Sequence, residues 1–200
     1  MAVLLWTSGK RLAGVPEEHN KELCSMLNAA IRTDKPSLMS STAVLVRGIN
    51  TLCVTRRMDE DDIAFPPNAK TYRGGGFDNS HKAFFVVGKK YRVPGFLATS
   101  FNERKADDFI GWADTPATVK WIIGVDPRGE TNRRYKCKHV NLVTDTHVAN
   151  EFEYLFSPYS VFTVTRVEWA STPDDAHTIE LRAANDNRRE SEDLPLAPWY

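Results

Sequence analysis

The sequence predicts one α+β domain, with helices in its first quarter and a β-rich part after about residue 68. Apolar residues recur at helical spacing between residues 15 and 54. Short runs of β-branched and aromatic residues, separated by turn residues, follow from about 68 to 183. Helices that precede the strands, rather than alternating with them, are typical of α+β domains. A chain of 200 residues is long enough to bury one proper core, so we expect a single domain over 1–200.

The helical part contains two predicted helices. A proline and two glutamates at residues 16–18 form a favourable first turn, because proline suits the first helical position and acids suit the helix dipole. Leucine and isoleucine then recur every third or fourth position. The pattern breaks at residues 33–37, and a second helix is predicted from about residue 37 to residue 53.

Besides the segment around residues 151–153, the β-rich part is predicted to contain six strands and one helix. The helix spans about residues 102–112, and residues 84–87 fit either a strand or a buried helical turn. The tail, 184–200, ends in apolar residues and is predicted to dock on the domain. The predicted strands cover residues 71–73, 96–101, 118–125, 140–143, 161–169 and 177–183.

The composition excludes several classes of protein. Lysine plus arginine and aspartate plus glutamate both number 26, so the formal net charge is zero, and we expect no nucleic-acid partner. No apolar run is long enough to cross a membrane, and residues 2–6 are too short for the core of a signal peptide. Cys24, Cys53 and Cys137 have no metal-like spacing, which favours reduced thiols and predicts no metal site.

A pair of carboxylates near the last quarter is the main chemical feature. Glu151 and Glu153 flank Phe152 in a segment that reads as a strand, so both carboxylates are expected on one face and Phe152 on the opposite face, in the core. Adjacent like charges do not stabilise a fold. They suit chemistry that stabilises positive charge or moves protons, although two exposed surface glutamates produce the same pattern.

Three motifs occur together in order: TYRG at 71–74, GFLATS at 95–100, and EFE at 151–153 leading into LFSPYSVF at 155–162. This set resembles the arginine–serine–glutamate class of mono-ADP-ribosyltransferases, which includes clostridial actin-modifying toxins, cholera-type toxins and vertebrate ectoenzymes. The resemblance extends over roughly residues 20–170.

The resemblance implies an activity and an architecture. It implies a two-sheet mixed β core and a glycosyltransferase that moves ADP-ribose from NAD to an arginine of a target protein, releasing nicotinamide. NAD is then the co-substrate, and no metal is needed. We expect a monomer that is cytoplasmic or delivered into a host cell as an effector.

The resemblance also assigns the two glutamates. Glu153 would stabilise the positive charge that spreads over the ribose when nicotinamide leaves. Glu151 would orient the acceptor arginine, because a guanidinium is too weak an acid to be deprotonated easily.

The same resemblance assigns the NAD-binding residues. Arg73 would pair with the diphosphate, and Gly74 would let the ligand approach the backbone. Arg47 is the rival for the diphosphate. Tyr72 and Phe96 are candidate walls of the nicotinamide pocket, as are, among the other aromatics, Phe84, Phe85 and Phe101.

The middle motif departs from the family pattern. Ala98 stands where the family's first serine, which usually bonds the catalytic glutamate or the nicotinamide ribose, is expected. Ser100 shares a strand face with Ala98 and is the better substitute, while Thr99 is a second hydroxyl. Two alternatives stay open, an NAD glycohydrolase with water as acceptor and a catalytically weak NAD-binding or interaction module, and Ala98 favours the second. The loop at 128–150 is expected to contact the target protein.

Overall fold

The computed structural model describes residues 2–9, 22–34, 36–55, 65–66, 68–126, 137–144 and 151–198. No helix in these segments is both long enough and apolar enough to span a bilayer. The α-helices are α1 (Ala2–Trp6), α2 (Leu23–Thr33), α3 (Pro36–Cys53) and α4 (Glu103–Gly111). The strands are β1 (Lys70–Gly76), β2 (Lys90–Val93), β3 (Leu97–Ser100), β4 (Thr118–Gly124), β5 (Val140–Leu142), β6 (Glu153–Phe156), β7 (Ser160–Glu168) and β8 (His177–Ala183).

The strands form one mixed sheet in the order β2-β7-β8-β4-β1-β3-β6-β5. The expected two-sheet core is therefore not confirmed, since the structure has one sheet. β1 pairs with β4 along seven residues but with β3 only at Tyr72 and Ser100. The sheet thus consists of two groups of strands, β2-β7-β8-β4-β1 and β3-β6-β5. The single pairing of Tyr72 with Ser100 joins the two groups into one sheet. β4 and β8 run parallel, and the other neighbours are antiparallel.

The larger core lies between the long strands, one face of β3, β5 and β6, and a 3-10 helix, Asn79–Phe84. Residues 84–87 are thus the end of this helix and the turn after it, with Phe85 buried and Val86 and Val87 exposed. His177 closes one side of this core. Its Nδ1 accepts the N–H of Ala170 at 2.9 Å, and its Nε2 lies 3.0 Å from Asn79 Oδ1.

A second core lies between the helices and strands β3 and β6. Leu27, Ile49 and Leu155 are fully buried in it, together with Trp6 of α1, a helix that the periodicity did not predict. The segment at 16–18, where the first predicted helix begins, lies outside the described residues.

α2 is tied to the sheet by Asn28. Its side-chain amide donates to the backbone oxygen of Phe96 at 3.0 Å, and its side-chain oxygen accepts the Phe96 N–H at 2.8 Å. A single helical side chain thereby fixes the entry to β3.

α4 packs directly on β1. Asn102 caps its first turn by accepting the N–H of Arg104. A Cβ atom on Gly74 would lie 1.8 Å from the backbone oxygen of Ala106. Gly74 is therefore needed for the close approach of helix and strand, whereas the sequence suggested that it makes room for a ligand.

The C-terminal segment covers the open edge of the sheet. Arg92 of the edge strand β2 donates its N–H to Pro195, and its carbonyl accepts the N–H of Ala197, both at 2.8 Å. Ala197 is buried against the sheet core. The segment thereby satisfies backbone groups that would otherwise be available to another chain.

Candidate active site

A pocket lies where β1, β3, α4 and the start of β6 meet. It is lined by residues of all four elements: Tyr72, Arg73, Gly74, Ala98, Thr99, Ser100, Lys105, Ala106, Phe109, Glu151 and Glu153. Two of the three sequence motifs, TYRG and GFLATS, thus lie next to the third, EFE, although they are separated by 20 to 50 residues.

Glu153 is the most buried carboxylate of the pocket. It is the first residue of β6, pairs with Ser100 of β3, and has only 9% of its surface exposed. Burial raises its pKa to about 7, because the charged form loses its hydration. A hydrogen bond from the Trp6 indole N–H, at 2.9 Å, and the nearby Arg73 oppose that rise in pKa, while Glu151 adds to it.

Glu151 reaches the pocket by a route other than strand alternation. The strand begins only at Glu153, and Phe152 has a φ of +48°, a left-handed conformation that is unusual for an aromatic residue. Phe152 was predicted to pack in the core, and it does not. It is 43% exposed and lies against Phe101, with the ring centroids 4.8 Å apart. The left-handed turn is why the two carboxylates share a pocket although only one of them lies on the strand.

The pKa of Glu151 is also raised, mainly by partial burial. The positive charge of Lys105 lowers this pKa, and the negative charge of Glu22 raises it further. The backbone of Glu151 is held by Ser100, whose hydroxyl donates to the Glu151 oxygen at 2.6 Å.

The two hydroxyls of β3 are occupied by backbone partners. Thr99 donates to the backbone oxygen of Tyr154 at 2.9 Å, and Ser100 donates to that of Glu151 while accepting the N–H of Asn102. Ser100 therefore holds the segment that carries Glu151. In the described hydrogen bonds, neither hydroxyl reaches the carboxylate of Glu153.

Arg73 lies in the middle of β1, opposite Trp121, and not at the end of the strand as the sequence suggested. The glycines after it continue the ladder with β4, which is why the strand runs on to Gly76. Its Nη1 donates to the backbone oxygen of Ala98 at 2.9 Å, so the guanidinium crosses towards β3. Arg47 is exposed on α3 and does not line the pocket.

The predicted aromatic residues separate into different places. Tyr72 lines the pocket, and its hydroxyl accepts from Asn68 at 3.2 Å. Phe96 lies in the helical core, outside the lining, with Trp6 edge-on at 5.2 Å. Phe84 and Phe85 belong to the larger core, and Phe101 packs on Phe152.

Sequence reasoning missed the contribution of α4. Lys105 and Phe109, one helical turn apart, both line the pocket, and Phe109 is 43% exposed. Their spacing of four residues is the signal that was available, because residues i and i+4 share a helix face. Trp6 was missed because its contact spans 147 residues of sequence.

Two sequence expectations concern features beyond the pocket. In the described segments, no group of three or more His, Cys, Asp or Glu residues is placed to hold a metal ion. Most of the loop predicted to contact a target protein, 128–150, lies outside the described residues.

No protein-family model matches the chain. No curated protein matches it either. Solved structures do match. The ADP-ribosyltransferase Vis of Vibrio splendidus, solved in complex with agmatine, is 14% identical, with a TM-score of 0.59 over 96% of this chain and 83% of that one.

Two further bacterial structures give a similar result. The ADP-ribosyltransferase HopU1 of Pseudomonas syringae pv. tomato DC3000 is 16% identical, with a TM-score of 0.61 over 91% of this chain and 75% of that one. Exoenzyme S of Pseudomonas aeruginosa, solved with human 14-3-3 protein beta and bound to carba-NAD, is 17% identical, with a TM-score of 0.55 over 86% and 73%. At such identities the likeness concerns the fold, and this chain has the fold of the bacterial mono-ADP-ribosyltransferase toxins.

Proposed function

We propose that this protein transfers ADP-ribose from NAD to an arginine side chain of a target protein and releases nicotinamide. The observation that carries the proposal is that Arg73, Glu151 and Glu153, which come from two separate motifs, line one pocket of this fold. The carba-NAD complex of exoenzyme S, a protein of the same fold, supports an NAD-related ligand.

The residues of the pocket fit the chemistry of NAD. Arg73 and Lys105 bring two cations to one pocket, as a diphosphate requires. Tyr72 and Phe109 offer aromatic surfaces for the planar rings of the ligand. Glu153 lies at the buried side, where a carboxylate is able to meet a ribose hydroxyl out of bulk water.

Cleavage of NAD requires stabilisation of positive charge. The bond between the nicotinamide nitrogen and the ribose breaks, and the bonding electrons leave with nicotinamide, which departs as a neutral molecule. Positive charge then spreads over the ribose ring, and the carboxylate of Glu153 stabilises it through the ribose. With a pKa of about 7, Glu153 is only partly ionised at neutral pH, so activity should rise as the pH rises through that value.

Transfer requires a second carboxylate for the acceptor. A nitrogen of the target guanidinium forms the new bond to the ribose carbon, and its extra proton passes to solvent. Glu151 is half-buried and lines the same pocket, where it orients the guanidinium and balances its charge during attack. Agmatine, the ligand in the Vis complex, carries a guanidinium and supports this assignment of the acceptor.

The test is labelling of a cell lysate with a tagged NAD, followed by mapping of the modified residues. Glu153→Gln should abolish protein labelling and nicotinamide release together. Glu151→Gln should abolish labelling while sparing part of the nicotinamide release. Glu192→Gln, a change at an exposed glutamate far along the tail, is the matched control and should label like the wild type.

The outcomes separate the alternatives. Labelling on arginine supports the proposal, and labelling on another residue type corrects the acceptor. Nicotinamide release without labelled protein indicates an NAD glycohydrolase. NAD binding with neither product indicates a binding module, and undiminished labelling by Glu153→Gln refutes the assignment of that residue.

A further inference from the structure

We infer that Trp6 of α1 is a positioning residue that holds the carboxylate of Glu153 in its working orientation through the indole N–H. The inference rests on the proposed function for the catalytic part played by Glu153. It adds a residue outside all three sequence motifs, in a helix that the sequence did not predict.

The contact is short and buried at both ends. Trp6 Nε1 lies 2.9 Å from Glu153 Oε1. Trp6 is 5% exposed and Glu153 is 9% exposed, so little water competes for either group. The indole ring is itself fixed by an edge-on contact with Phe96, at 5.2 Å between centroids. A rigid donor in a dry environment defines one direction for the carboxylate.

The neighbouring side chains of β3 do not provide this bond. Ala98 has no hydroxyl. The hydroxyls of Thr99 and Ser100 donate to the backbone oxygens of Tyr154 and Glu151. In the described part of the chain, the hydrogen bond that reaches the Glu153 carboxylate comes from Trp6.

An indole N–H has consequences that a hydroxyl would not have. It donates only and cannot accept, so it stabilises the ionised carboxylate over the protonated form. It occupies Oε1, which leaves Oε2 for the ribose. The charges of Glu151 and Arg73 also act on Glu153, and the charge of Glu153 acts on the buried Cys53. Lys105 and Glu22 act on Glu151. The hydrogen bond from Trp6 lowers the pKa of Glu153, whereas burial and the charge of Glu151 raise it.

The test replaces Trp6 with phenylalanine, which keeps an aromatic ring beside Phe96 and removes the N–H. We expect NAD turnover near neutral pH to fall about tenfold to a hundredfold, the worth of one hydrogen bond to a charged group, with KM for NAD within about twofold of the wild type. The acid limb of the pH–rate profile should move to higher pH. Trp169→Phe, which removes an indole that does not line the pocket, is the control and should leave NAD turnover and the acid limb unchanged.

A second measurement does not depend on activity. Titration of the Glu153 carboxyl by carbon NMR, assigned with Glu153→Gln, should give a higher pKa in Trp6→Phe than in the wild type. If Trp6→Phe does not fold, benzothienylalanine at position 6 replaces the N–H by sulfur at nearly constant shape and serves in both experiments. An unchanged acid limb, or an unchanged Glu153 titration, overturns the inference. Failure of the wild type to cleave NAD overturns the proposed function, while the titration still decides whether Trp6 holds Glu153.

Discussion

The contact between α4 and β1 predicts a large difference between two adjacent glycines. A Cβ atom on Gly74 would lie 1.8 Å from the Ala106 backbone oxygen, so α4 must move by roughly 1.5 Å to restore ordinary contact. A Cβ atom on Gly75 would meet nothing within 4 Å. Gly74→Ala is therefore expected to destabilise the protein, and Gly75→Ala is its matched control.

The magnitude follows from the nature of the clash. The obstructing atom is backbone, which cannot swing away, so we expect the upper part of the overpacking range, about 3 kcal/mol. For a chain of this length that lowers the melting temperature by roughly 6 to 12 °C. Because α4 carries Lys105 and Phe109, the displacement should also weaken NAD binding.

The assay is thermal unfolding followed by circular dichroism, with NAD binding measured by calorimetry. Gly75→Ala should melt within about 2 °C of the wild type, since it meets open space. Equal melting temperatures for the two variants would refute the argument that α4 is seated on Gly74. Destabilisation with unchanged NAD affinity would show that the pocket does not depend on the position of α4.

Three further predictions concern stability. Because burial raises the folded-state pKa of Glu153 to about 7, the native state binds a proton more tightly than the unfolded chain, and the contribution of Glu153 to stability should fall as the pH rises from about 4.5 to 7. Glu153→Gln should remove this contribution to the pH dependence and be more stable than the wild type near pH 8 by about 3 kcal/mol, as measured by urea unfolding. Burial and a nearby lysine lower the pKa of His177. Its contribution to the free energy of unfolding should therefore be present above about pH 6.5 and lost on acidification below it. A His177→Gln variant that melts with the same acid dependence as the wild type would contradict this. Asn28→Ala removes two hydrogen bonds to Phe96 and should cost about 2 kcal/mol in unfolding free energy. Asn28→Asp keeps the acceptor but sets a carboxylate oxygen against the Phe96 oxygen, so it should cost at least as much, and a loss below about 0.5 kcal/mol in Asn28→Ala would contradict the role of these hydrogen bonds.

The sequence predicted the local elements better than the way they meet. The strands around Arg73 and Ser100 and the helix after Asn102 were predictable, because alternation, capping and turn residues are local signals. The single pairing of Tyr72 with Ser100 was not, because no local pattern specifies how two groups of strands join. The two-sheet expectation was not confirmed for that reason.

The candidate site shows the same division. Glu151 and Glu153 were selected from spacing, yet the spacing argument was wrong in detail, since a left-handed Phe152 and not strand alternation directs Glu151. Phe152 itself was misplaced by the same assumption. Lys105 and Trp6 enter the pocket region through helices, and only the packing of those helices reveals them.

The single pairing between β1 and β3 divides the backbone of the pocket between two groups of strands, although one hydrophobic core, with Leu97 and Phe156 in it, packs against both groups. Arg73 lies on β1, in the group that contains the long strands, and Glu153 lies on β6, in the other group. Besides the backbone pairing at Tyr72, the bond from Arg73 to the Ala98 oxygen crosses between these groups. A ligand that contacts both Arg73 and Glu153 would link the two groups of strands. Its binding free energy would then add to the stability of the folded state.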